Sequence, residues 1–86
     1  MPEDQLDLLV RRLRGLTPRA WAARRDVVRR LLVELAELSA PGRRLPDLPD
    51  HALGDAVAVL GRDALADPQT HERAAQLVRG ALDATR

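Results

Sequence analysis

The sequence predicts an all-α fold: a small bundle of four helices arranged as two antiparallel helical hairpins joined by a proline-rich strap, with a central, long second helix. Three observations carry this. Aliphatic residues recur at three- and four-residue spacing in four separate stretches. Trp21 is the only aromatic in 86 residues, and β-branched residues are few, so nothing favours a sheet. Thr17-Pro18, Asp67-Pro68 and the Pro/Gly-rich segment between them divide the stretches. The predicted helices cover about residues 2–16, 18–40, 50–66 and 68–84, with a linker over 41–49, in a single domain spanning 1–86.

In the first helix, Pro2 suits the opening turn, and Glu3 and Asp4 complement the positive end of the dipole. Leu6, Leu9, Leu13 and Leu16 form the apolar seam, with Val10 beside it. Leu8 falls on the opposite side and hints at a contact surface. Arg11, Arg12 and Arg14 close the helix and Gly15 marks its end. Thr17 then offers a capping oxygen and Pro18 fits the first position of the next helix, which predicts a tight turn and a first helical hairpin.

The second helix is the organising element. Trp21, Val28, Leu31, Leu35 and Leu38 follow one seam, and Ala20, Val27 and Leu32 broaden it into a face wide enough for two neighbours. Arg24 stands where the seam would take another leucine. It either lays its stem along the seam and sends its guanidinium to a carboxylate, or it marks an interface. The strap, with Pro41, Gly42, Pro46 and Pro49, cannot be helix interior and is expected to be pinned by Leu45 and Leu48. Asp50 is expected to cap a third helix that turns Leu53, Val57, Leu60 and Ala64 inward, with Ala56 alongside. Gly54 and Gly61 weaken that helix by about 1 kcal/mol each, and Gly61 is expected to permit a close helix crossing. Asp67-Pro68 should open the fourth helix, which turns Ala74, Leu77, Val78, Ala81 and Leu82 inward.

Charge is distributed unevenly. Residues 11–30 hold eight arginines against one aspartate, whereas residues 45–86 hold four arginines against seven acids. The cluster crowds the positive end of the second helix, against the dipole rule, so something negative should relieve it. Carboxylates, internal or on a partner protein, are favoured over nucleic acid for this: the internal candidates are a local chain of Asp26, Arg30 and Glu34 at helical spacing and acids brought near from the second half, such as Asp47, Asp50 or Asp55. An acidic partner protein or phosphate at the helix N-terminus would serve the same need. The absence of lysine needs no such explanation, because Ala, Arg, Leu, Val, Asp, Pro and Gly together are the residues of GC-rich codons.

Several function classes are disfavoured. No nucleophile–base pair, phosphate loop or metal-ligand spacing is present, and cysteine is absent, so no enzyme activity, metal or cofactor is expected. Asp47, Asp50, His51 and Asp55 cluster, but their ordinary roles are capping and solvation. No apolar run approaches the roughly 20 residues of a membrane span. The acidic start, with Glu3, Asp4 and Asp7, is unlike a signal peptide, and a cytoplasmic protein is expected. A DNA-reading helix after the Gly15–Pro18 turn would have to expose the face that carries Trp21 and the leucines, and no aromatic platform exists for stacking bases. The expectation is a non-enzymatic protein–protein interaction module that pairs with itself as a homodimer or with another protein, with Leu8, Trp21, Arg24 and Leu32 as interface candidates. Small size supports this, since self-association supplies core that a short chain lacks. The alternative is nucleic-acid or other anion binding through Arg11, Arg12, Arg14, Arg19, Arg25 and Arg29.

Overall fold

Helices form where the aliphatic period runs: α1 (Pro2–Arg14), α2 (Pro18–Ser39), α3 (Asp50–Ala66) and α4 (His71–Ala84). They are seen in a computed structural model that describes residues 1–42 and 47–86, with no strand among the described residues. Leu45 and Pro46 of the expected strap lie outside them. Leu48 is half-buried and packs against the core.

Capping follows the sequence in the first half of the chain and departs from it in the second. The Thr17 hydroxyl accepts from the Ala20 amide at 3.2 Å, with Pro18 in the first turn of α2. α1 stops at Arg14 rather than residue 16: the Gly15 amide still bonds the Arg11 and Arg12 carbonyls, both at 3.2 Å, but the Leu16 amide tightens to the Leu13 carbonyl at 3.3 Å and Thr17 is already extended. Asp50 does not cap α3. Pro49 holds that place and makes no side-chain cap, while Asp50 sits in the first turn. Asp67-Pro68 does not open α4 either. The Asp67 carboxylate accepts from the Gln69 amide at 2.9 Å and its carbonyl from the Thr70 and His71 amides, so it caps the turn of residues 68–70, and α4 itself begins at His71. The Thr70 hydroxyl donates to the Ala64 carbonyl at 2.7 Å, satisfying a group that the end of α3 leaves open.

α2 is one unbroken helix of 22 residues, as its seam predicts. Val28, Leu31, Leu32 and Leu35 are buried, and Trp21 and Leu38 are half-buried against the same core. The packing order, however, is not that of two hairpins around α2. α3 and α4 pack on each other, and each packs on both α1 and α2, whereas α1 and α2 barely meet. The central elements are therefore α3 and α4, with α1 and α2 on either side of them. Ion pairs fix the directions. Arg14 with Asp55 and Asp7 with Arg62 set α1 antiparallel to α3. Glu34 with Arg73, and Arg24 with the Arg86 carbonyl, set α2 antiparallel to α4.

The reason lies in side-chain size. α1 and α2 carry the large residues, Leu6, Leu9 and Leu13 on one and Leu31, Leu32 and Leu35 on the other. α3 and α4 bury Leu53, Val57, Leu65, Val78 and Leu82 too, but set them among small residues, Gly54, Ala58, Gly61 and Ala64 with Ala74, Ala75 and Ala81, so each can be approached closely from both sides. The result is a slab of 36 × 29 × 16 Å.

Candidate functional site

The arginine cluster is met from inside the chain. Arg25 holds Asp50 through two parallel bonds, Nε to Oδ1 at 2.9 Å and Nη2 to Oδ2 at 2.6 Å. Arg29 reaches Asp47 at 3.3 Å and donates to the Leu48 carbonyl at 3.1 Å. Arg14 meets Asp55 at 2.5 Å. The three acids named from the sequence, Asp47, Asp50 and Asp55, thus each take one arginine. Arg12 donates to the Leu82 carbonyl at 2.8 Å, in the last turn of α4 where a cation opposes the dipole. Arg11 and Arg19 are exposed and form no ion pair among the described residues. The expected chain of Asp26, Arg30 and Glu34 does not form, because Glu34 lies nearer Arg73 of α4, at 3.6 Å.

The Arg25–Asp50 pair is the best-formed of these, since a guanidinium fork matches a carboxylate in the plane. The hydrogen bonds from Arg25 hold the Asp50 carboxyl below the ordinary carboxylate range. Partial desolvation opposes them, and the charges of Arg25, Arg29 and His51 add to them. The same hydrogen bond raises Arg25 above its usual value. Every side chain in these pairs is more than a third exposed, so each pair holds geometry rather than large energy.

The four interface candidates are not brought together. Leu8 is 44% exposed, on the outer side of α1 as its position on the wheel implies. Leu32 is only 3% exposed and belongs to the core, so the fold itself covers it and it offers no surface. It was misplaced because the wheel of α2 shows how wide the apolar face is and not where α3 and α4 end on it. Trp21 is half-buried beside Leu13, Arg14, Asp50, His51 and Gly54. Arg24 donates from Nη2 to the Arg86 carbonyl at 3.0 Å, while its Nε is buried with no partner. Its head thus reaches a backbone carbonyl beyond the end of α4 and not a carboxylate.

His51 is exposed, and the His71 ring nitrogen Nδ1 lies 2.7 Å from the Leu65 carbonyl. Among the described residues no group of three His, Asp or Glu side chains is placed to hold a metal ion. No helix is long and apolar enough to cross a membrane.

The feature that sequence reasoning missed is a groove of about 350 Å³ between α2 and α4. Leu31 and Ala81 form its buried base, Val27 and Leu77 are half-buried in it, and Gly80 and Ala84 line it from α4. Asp26, Arg30, Glu34 and Gln76 stand around it. One signal in the sequence could have pointed to it: Gly80 sits inside a helix that gains nothing from a glycine there, and apart from the adjoining backbone of α4 no atom of the described residues lies within 4 Å of where its Cβ would be. No protein-family model matches this chain, and neither characterised proteins nor solved structures give a match.

Proposed function

We propose that the protein is a small non-enzymatic helical interaction module of the cytoplasm that works by self-association, most simply as a homodimer. The observation that carries this reading is the internal pairing of Arg14, Arg25 and Arg29 with Asp55, Asp50 and Asp47. Arginines already committed to carboxylates are poorly placed for phosphate, which leaves an apolar groove rather than a basic stripe as the principal open feature. A chain this short gains stability from a second copy, because its own core is limited by its surface-to-volume ratio.

The nucleic-acid reading retains Arg11 and Arg19, which are exposed and without ion pairs among the described residues. It predicts binding that falls steeply with salt, whereas apolar self-association is nearly indifferent to it. Light-scattering mass at two salt concentrations, with and without duplex DNA, separates the two. A dimer mass at both salts and no DNA complex is the expected result. A monomer that binds DNA only at low salt overturns the module reading.

A further inference from the structure

We infer that the α2–α4 groove is the self-association surface, and that a second copy of this chain occupies it about a twofold axis that sets Asp26 of each copy against Arg30 of the other. This rests on the module reading and adds to it the face, the orientation and the residues that select the partner.

Three features of the groove converge on this. The first is Gly80. A glycine inside a helix costs about 1 kcal/mol relative to alanine, and the fold gives nothing back for it. Gly61 is explained by α1, since the Leu6 side chain occupies the space a Cβ would need, with Cδ1 2.7 Å away. At Gly80 that space is open, with nothing within 4 Å. A glycine on an open groove wall admits the close approach of a further helix. The second is charge. Asp26 and Arg30 stand beside the groove at helical i,i+4 spacing and form no ion pair among the described residues, not even with each other. A negative and a positive residue on one helix match a second copy of that helix running the other way, because a twofold axis passing near Val28 exchanges their positions. Both pairs then form at once, each the image of the other, as an isologous contact requires. The third is area. The slab is 36 by 29 Å across its broad side. That is enough for the roughly 800 Å² per partner of a standard interface.

Between two chains, this arrangement sets the two Asp26–Arg30 contacts beside the twofold axis, with Val27 and Leu77 of both copies flanking them. The charges fix register and direction more than they add affinity.

Charge swaps test it with the full chain, read by light-scattering mass and sedimentation, with far-UV circular dichroism to verify that each variant is helical. Asp26→Arg and Arg30→Asp alter exposed, unpaired residues, so the fold is expected to survive both. Each alone sets like charges together twice per dimer and is expected to weaken self-association by more than about tenfold. Mixing the two variants restores opposite charges at both contacts and is expected to return a dimer, as is the double variant D26R/R30D. Gly80→Gln, which favours the helix but fills the groove, is expected to yield monomer. If the single variants and G80Q remain as dimeric as the parent, the pairing uses another face: the groove is excluded while the module reading stands. If the singles dissociate and neither the mixture nor the double variant recovers, the reciprocal Asp26–Arg30 contact is wrong. If the parent chain is monomeric at every concentration, this inference and the homodimer reading fall together.

Discussion

Two glycines, each inside a helix of the central pair, sit in opposite surroundings. Gly61 of α3 is buried under α1, with Leu6 packed into the place of its missing side chain. Gly80 of α4 is exposed in the groove beside α2, with nothing above it. The same residue thus marks a completed helix crossing on one side of the slab and an uncovered one on the other. Around the first, Arg14–Asp55 and Asp7–Arg62 latch α1 onto α3. Around the second, among the described residues, Glu34–Arg73 is the only ion pair between the two helices, while Asp26 and Arg30 form none. The contrast teaches that one flank of this small domain is filled by a neighbouring side chain, whereas the other keeps an open groove among the described residues.

The strongest way to break the contrast is to remove the knob at the completed crossing. Leu6→Ala deletes a side chain that is fully buried over Gly61 and should cost about 2–5 kcal/mol in chemical denaturation, with the midpoint lowered and helix content retained in the absence of denaturant. A smaller but sharper effect comes from the glycine itself. Gly61→Ala gains helix propensity but forces Leu6 out of a fully buried rotamer, and overpacking of about 1–3 kcal/mol exceeds the gain of about 1 kcal/mol. Net destabilisation is expected. The identical change at Gly80 should have the opposite sign, stabilising the monomer by up to about 1 kcal/mol, because its Cβ meets nothing. Measured in dilute protein, equal shifts for the two glycine variants would dissolve the comparison.

The least expected effect concerns the edge of α2 that faces away from the groove. Arg25 fastens that edge to the first turn of α3 through Asp50, whose carboxyl lies below its ordinary range. A carboxylate held low contributes stability above its unfolded pKa and loses it as pH falls through the folded one. Asp50→Asn should therefore be less stable than the parent near neutrality, and the two should converge below about pH 4. Thermal melts of both proteins from pH 3 to pH 7 check this, and a gap that persists unchanged in acid would mean the ion pair is not its source.

The chain's legible features are those that depend on neighbours in sequence. The leucine seam of α1, the continuity of α2 and the Thr17-Pro18 cap follow from the helical period and from local hydrogen bonding, and all are present in the fold. The acids that answer the arginines, Asp47, Asp50 and Asp55, were legible only as one candidate among several, since an excess of cation calls for carboxylates without saying which the fold brings near. The failure of Asp50 to cap α3 and of Asp67 to cap α4 was not legible. In each case the carboxylate had a better use, with Arg25 for the first and the Gln69 amide for the second.

The sequence by itself determined four helices, their apolar faces and an excess of cation in the first half, because period and composition are properties of the chain alone. Only the tertiary structure decided that α3 and α4 stand in the middle, that Leu32 is covered, and that a groove remains beside Gly80. An apolar face records that burial is needed and not which helix supplies it. That choice fell to residue size: the alanines and glycines of α3 and α4 let large side chains approach from both sides, as the leucines of α1 and α2 could not.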